Sequence, residues 1–191
     1  MLTRVVFNQK GGVGKSSIAV NLAAISAYQG FKTLLIDLDP QANSSQYLLG
    51  EEAIYAADRP ALQPNIENYF EEVLSSNQSK GLLGNALGSL LKTRSKGLDS
   101  YVHQSPFPNL SVIPASPTLG TLAHALEAKH KIYKLRDALQ QMSAQYERIY
   151  IDTPPAFNVF TLSALIAADR VLIPFDCDVF SKRALHSLIE N

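Results

Sequence analysis

The stretch FNQKGGVGKSS, residues 7–17, restricts the fold of this chain more than any other feature. It follows the β-branched run RVVF (4–7). It precedes a segment, Lys15 to Gln29, in which Ile18, Ala19, Leu22, Ala23 and Ile25 recur at helical spacing and Gly30 supplies the stop. A strand, a glycine-rich turn and a helix in that order aim backbone N–H groups at one point, and the helix N-terminus adds partial positive charge there. Gly11, Gly12 and Gly14 let the turn curl without Cβ clashes. Lys15 then supplies a point charge for β- and γ-phosphates, and Ser16 a hydroxyl for Mg²⁺. The common phosphate-loop pattern G-x-x-x-x-G-K-[ST] survives only in its second half. Gln9 stands where the first glycine belongs, and a second lysine, Lys10, comes directly after it.

The rest of the chain supplies the sheet for such a loop. The runs KTLLID (32–37), LSVIPA (110–115), RIYID (148–152) and RVLIPF (170–175) are continuous rather than alternating, as expected of strands covered on both faces. Helical patterns over Thr118–Gln145, with a break near Lys129, and over Thr161–Ala168 separate them. Ser116-Pro117 reads as the entry to the first. The alternation predicts an α/β fold with a mostly parallel sheet flanked by helices. From about Gly50 to Asn109 the rhythm fails. Pro60, Pro64, the polar run SSNQSK (75–80) and Gly81, Gly84 and Gly88 predict an irregular, partly helical elaboration, with short helices around 65–74 and 82–92. The basic cluster KTRSK (92–96) reads as a solvated loop.

At 191 residues, 46% hydrophobic and with 17 basic against 17 acidic residues, the chain predicts one globular domain without an overall basic field for nucleic acid. The single Cys177 excludes an internal disulfide and a four-cysteine zinc site, and reads as a buried strand-end residue. His124, His130 and His186 lie at no metal-ligand spacing. No apolar run reaches membrane-span length and no secretory pattern follows Met1, so a cytoplasmic location is expected.

Two strands end in acids. LLIDLDPQ (34–41) carries Asp37 and Asp39, and RIYIDTPP (148–155) carries Asp152. Ligands of open parallel sheets bind at the carboxyl ends of the strands, which would place all three acids beside the loop. Asp152 fits the water shell of Mg²⁺, and Asp37 reads as a structural acid paired with a lysine or with backbone.

Together KGGVGKSS (10–17), LLIDLDPQANSS (34–45) and IYIDTPP (149–155) resemble the ParA/Soj group of partition ATPases, within the deviant-Walker-A class of P-loop NTPases that includes MinD and the nitrogenase iron protein. The likeness covers residues 2–49 and 110–186, and the DPQ after the second strand is its more specific mark. It implies a single P-loop ATPase domain over 1–191 and a nucleotide cradle of Lys10, Gly11, Gly12, Val13, Gly14, Lys15, Ser16 and Ser17. It also implies Mg²⁺ at Ser16, with Asp39 and Asp152 acting through water. Lys10 would reach across an ATP-dependent homodimer to the phosphates of the partner, delivering charge as an arginine finger does. Asp39 would position or activate the attacking water, so Lys10, Lys15 and Asp39 are the expected catalytic residues. A carboxylate is a mediocre base at neutral pH, which suits a slow, partner-stimulated ATPase. The segments PQANSS and TPPAFN would be switches whose order depends on the γ-phosphate. The implied partners are a ParB-like centromere-binding or adaptor protein and non-specific DNA, with nucleoid association if DNA is bound and no membrane.

Other members of the class fit less well. A MinD-like protein needs a terminal amphipathic helix, and an iron–sulfur carrier needs thiolates at sites that hold none here. A tyrosine autokinase needs a tyrosine tail and a different second motif, where this chain has Pro40-Gln41. A ParA-like ATPase serving another cargo, such as a protein complex or cellulose secretion, carries the same motifs and stays open, as does a non-hydrolysing ATP-dependent scaffold. SKRALHSLIEN (181–191) reads as a helix cut in mid-run. A continuation is expected, and in the family it supplies much of the adenine pocket and the basic residues for DNA.

Overall fold

The computed structural model describes residues 1–55, 62–76 and 96–175. The helix expected at 82–92, Cys177 and the segment 181–191 lie outside them. The described chain begins with β1 (Leu2–Val6), α1 (Lys15–Tyr28), β2 (Thr33–Asp37), α2 (Asn43–Leu49), α3 (Glu51–Tyr55) and α4 (Ile66–Ser75). A 3₁₀ turn (Leu98–Tyr101), β3 (His103–Gln104), β4 (Leu110–Ile113) and a second 3₁₀ turn (Leu119–Leu122) come next. The chain continues through α5 (Ala123–Ala128), α6 (Lys134–Gln141), β5 (Arg148–Asp152), α7 (Val159–Ala167) and β6 (Arg170–Leu172).

The strands form one sheet in the order β3-β4-β2-β5-β1-β6. All pairings are parallel except β3 with β4. The mostly parallel α/β expectation therefore holds. The antiparallel edge strand, only two residues long, has no sequence signal of its own. Between β1 and β2 the chain skips one position, later filled by β5. The carboxyl ends of these three strands thus lie side by side at the point where the strand order reverses, the usual place for a ligand in an open α/β sheet.

The continuous apolar runs are explained by a sheet buried on both faces. Val5, Leu34, Ile36, Ile113, Ile149 and Ile151 point into one core, which Phe70, Leu126, Leu135, Leu139 and Phe160 of α4, α5, α6 and α7 close. Val6, Leu35, Val112 and Tyr150 point to the other face, beneath Ala19, Ala23 and Ala27 of α1 and Leu48 of α2. Small residues at i and i+4 let α1 lie close over the sheet. This corrects the expected apolar stripe of α1: the buried line is the alanine one, and Ile25 is 53% exposed. Beneath the helix, the hydroxyls of Ser26 and Tyr150 pair at 2.8 Å, which satisfies both in the core.

Two further helical features have local causes. The pattern over Thr118–Gln145 breaks near Lys129, as expected. It opens with the 3₁₀ turn behind Ser116-Pro117, and His130 in the left-handed region (φ 49°) separates α5 from α6. Within the elaboration, the start of α4 is fixed by a reciprocal cap: the Asn65 side chain accepts from Asn68 N and the Asn68 side chain accepts from Asn65 N.

The close seat of α1 gives a test. Ala23→Leu is expected to destabilise the protein by about 1–3 kcal/mol through overpacking, whereas Ile25→Ala on the exposed face stays within about 0.5 kcal/mol. Urea unfolding of both variants checks this contrast.

Candidate functional site

Beyond β1 the chain runs through Phe7 into Asn8, which is buried. Its Oδ1 accepts a hydrogen bond from Lys10 N at 2.9 Å, and its Nδ2 donates to the carbonyl of Pro174 at 2.8 Å. One asparagine thereby closes an Asx turn and ties the loop to the exit of β6. Gly12 (φ 76°) and Gly14 (φ 80°) adopt left-handed backbone, which side chains at these positions would strain. A Cβ added at Gly11, Gly12 or Gly14 would meet nothing within 4 Å, so the concave side of the turn is an open cradle. No side chain caps the start of α1, which leaves its first N–H groups to that cradle. Lys15, the first residue of α1, is 7% exposed and donates from Nζ to the carbonyl of Lys10 at 3.0 Å. Burial lowers the proton affinity of its ammonium, while the Asp152 and Asp39 carboxylates raise it again.

Asp37 and Asp152 end β2 and β5, are register partners across the sheet, and are wholly buried. The hydroxyl of Thr153 donates to the carbonyl of Val6 at 2.7 Å and Leu38 N to that of Asp152 at 3.0 Å, so the strand ends are cross-tied. Asp37 Oδ1 accepts from Asp39 N at 3.0 Å, and Oδ2 accepts from Ser45 N at 2.9 Å and Ser45 Oγ at 2.7 Å. Ser45 Oγ in turn accepts from Ala115 N at 3.0 Å. Asp37 is thus a structural acid paired with backbone and with Ser45. Burial pushes its carboxyl above the ordinary carboxylate range, and the charge of Asp152 adds to the effect.

Asp152 Oδ2 accepts from Ser44 Oγ at 2.7 Å, whereas Oδ1 is buried and, among the described residues, has no partner at hydrogen-bond geometry, although the Ser16 hydroxyl lies near enough to stabilise the charged carboxylate. Burial raises the proton affinity of this carboxyl and Asp39 adds to that, while Ser44, Ser16 and Lys15 lower it. A buried carboxylate oxygen without a donor costs on the order of 1–3 kcal/mol or more, and water on a hydrated cation would supply that donor. The acid, the neighbouring Ser16 hydroxyl and the oxygen-rich chemistry fit Mg²⁺. Asp39 stands two residues past β2, mostly buried. Its Oδ1 accepts from Gln41 N at 2.9 Å and its carbonyl from Ala42 N at 2.8 Å.

A cleft of about 380 Å³ opens between the turn and Asp39, lined by Gly11, Gly12, Gly14, Lys15, Ser16 and Ser17 on one side and by Asp39, Gln41, Asn43, Tyr47 and Pro155 on the other, with Asp37 and Asp152 buried behind it. The fold therefore gathers the loop from Lys10 to Ser17, Asp39 and Asp152 at the carboxyl ends of β1, β2 and β5. The segment after Asp39 is not a free loop: Ala42 turns the chain in left-handed backbone (φ 52°), and Asn43–Leu49 form α2. Leu48 anchors that helix in the core, and its first residues carry Ser44 and Ser45 to the two buried carboxylates. Asn8 was not visible as a site residue in the sequence, and Ser44 and Ser45 appeared there only as part of the expected switch segment PQANSS, not as partners of the two acids. The available signal was weak, a polar Asn-Ser-Ser before a leucine pair, which also suits a loop.

A family profile described as AAA domain matches residues 2–191. The chromosome partitioning protein ParA of Myxococcus xanthus is 34% identical over 96% of this chain and 55% of its own length. The chain spans little more than half of that relative. Among solved structures, cobyrinic acid a,c-diamide synthase from Mycobacterium smegmatis with bound ATP analogue and magnesium superposes with a TM-score of 0.75 at 25% identity, over 100% of this chain and 66% of that one. A putative plasmid partition protein from Borrelia burgdorferi bound to AMPPNP gives a TM-score of 0.68 at 26% identity, over 99% of this chain and 68% of that one. Among the described residues no helix is long and apolar enough to cross a membrane.

The buried Asp37 makes stability depend on pH. Its native carboxyl holds a proton more tightly than the unfolded one, which titrates near about 3.9. The native state then binds more protons above that value, so Asp37 makes stability fall as pH rises from about 4 toward the raised native value. Asp37→Asn removes this component. Urea midpoints measured from pH 4.5 to 8 are expected to fall more steeply with pH in the wild type than in the variant.

Proposed function

Because the chain belongs to the AAA domain family, matched over residues 2–191, we propose that it is a ParA-like switch that binds ATP, dimerises around it and hydrolyses it slowly to ADP and phosphate. The observation that carries this reading is the unpartnered, buried Oδ1 of Asp152 beside an open glycine cradle and a lysine folded into it. A triphosphate with its cation satisfies all three at once. Free amides take phosphate oxygens, Lys15 takes charge, and Asp152 takes a metal-bound water.

In this reading the cradle Lys10, Gly11, Gly12, Val13, Gly14, Lys15, Ser16 and Ser17 holds the nucleotide, with Mg²⁺ at Ser16 and, through water, at Asp39 and Asp152. Mg²⁺, when bound, neutralises charge across the β- and γ-phosphates. Lys15 leaves the carbonyl of Lys10 for the phosphates, and the Asn8 turn keeps that carbonyl and the Lys10 backbone in place. Asp39 orients the attacking water, its other contacts being held by the turn into α2. Lys10 of a second copy brings charge to the leaving and transferring groups, so turnover waits for dimerisation. Such a switch suits segregation of a chromosome or plasmid in the cytoplasm, stimulated by a ParB-like centromere-binding or adaptor protein. The likeness to the Myxococcus xanthus partitioning protein supports that cargo.

Removing the point charge in Lys15→Ala is expected to abolish ATP binding or nearly so, whereas Asp39→Ala keeps binding and accumulates as an ATP-bound dimer without turnover. Calorimetric titration and size-exclusion with ATP check both. Unchanged affinity in a folded Lys15→Ala variant overturns the site.

The second lysine is tested by mixing subunits. Lys10→Ala alone and Asp39→Ala alone are both expected to be inactive. In a heterodimer, the Lys10→Ala subunit keeps its own Asp39 and Lys15 and receives Lys10 from the other. Activity should return to at most about half per heterodimer. Arginine fingers contribute roughly 10³–10⁵ in rate, and a lysine point charge is expected to contribute less. Heterodimers that form without recovering any turnover exclude action in trans.

A further inference from the structure

We infer that Ser44 is a positioning residue for the cation side of this site: by occupying Oδ2 of Asp152, it reserves Oδ1 for a metal-bound water. The inference rests on the ATP and Mg²⁺ reading above. Ser44 is wholly buried, and its hydroxyl donates to Asp152 Oδ2 at 2.7 Å. A carboxylate torsion is broad, so the strand end alone does not fix the plane in which the Asp152 carboxylate lies. Ser44 holds that plane by binding one oxygen, and the other is buried without a hydrogen-bond partner among the described residues.

The alternative orientation is a concrete competitor. Lys15 is already under the attraction of Asp152 and Asp39. Released from Ser44, Asp152 can turn to pair with the Lys15 ammonium. That pair would withdraw one group from the cation and the other from the phosphates. Ser44 prevents it because its own place is fixed from elsewhere. The next residue, Ser45, is bound to Asp37 through both its N–H and its hydroxyl, and it also accepts from Ala115 N. The α2 turn is therefore clamped to β2 and to the exit of β4 before Ser44 reaches across to β5. Groups that orient a metal's acid from behind typically contribute about 10–100-fold in metal affinity. The lower end applies here, since Asp152 acts through water.

The test measures binding, not turnover. A fluorescent N-methylanthraniloyl-ATP is titrated into full-length protein, once with EDTA and once with saturating Mg²⁺, and the ratio of the two dissociation constants is the magnesium-dependent gain. Ser44→Ala is expected to bind the nucleotide in EDTA within about twofold of wild type and to lose about tenfold of the gain. Ser44→Cys keeps a side chain at the buried site, slightly larger and only a weak donor. It is expected to lose gain in the same direction, and it replaces the alanine variant if that one does not fold. A folded variant that keeps the full gain overturns the role of Ser44 and leaves the ATP site standing. Equal losses in EDTA and in Mg²⁺ make Ser44 merely structural and overturn the inference. Wild-type protein that binds no nucleotide under either condition removes the ATP reading, and this inference with it.

Discussion

Two carboxylates buried side by side are the constraint on which the rest of this structure turns. Asp37 and Asp152 are register partners on adjacent strands, where neighbouring strands lie only about 4.8 Å apart. Neither is exposed to water. Desolvation and mutual repulsion both oppose two charges in that position. The fold answers them unequally. Asp37 receives three donors from Ser45 and Asp39, and Asp152 receives one from Ser44. The inequality is structural: both oxygens of Asp37 are tied by donors, whereas one oxygen of Asp152 has no hydrogen-bond partner among the described residues.

The helix α2 exists in service of that arrangement. It is short, begins at a residue in left-handed backbone and has no side-chain cap, so it owes little to intrinsic propensity. Leu48 in the core and two serines on the carboxylates hold it instead. Its other face lines the cleft through Asn43 and Tyr47. Anything that changes the charge at the strand ends therefore acts directly on a helix that borders the cleft.

The sheet carries the complementary half of the site. Alanines at 19, 23 and 27 bring α1 close to β1, β2, β4 and β5, and this close seat delivers Lys15 and Ser16 to the acids. Polar atoms that the close seat buries find partners, as Ser26 and Tyr150 do. The turn is fastened at its far end by Asn8 on the exit of β6. The loop is thus braced by two strands and a helix before any ligand arrives, which lowers the ordering cost of binding.

Much of this was legible in the residues. The order of strand, glycine turn and helix, the unbroken apolar runs and the acids at strand ends are local patterns, and local chemistry determines them: glycine for left-handed backbone at Gly12 and Gly14, Val and Ile for strands covered twice, Asp where a strand meets a ligand edge. The sequence by itself therefore determined an α/β sheet and the membership of the loop, Asp39 and Asp152 in one region. It misled on Ile25, whose apolar character says nothing about which side of α1 the sheet occupies, and on Asn43–Leu49, whose polar start suits a loop as well as a helix. Only the tertiary structure decided that Ser44 binds one oxygen of Asp152 and that Asp37 is the structural acid. Those outcomes depend on Ser44 and Ser45 meeting β5 and β2 across 108 and 8 residues of chain. A contact of that kind is fixed by how a helix lands on a sheet, and no periodicity along the chain records it.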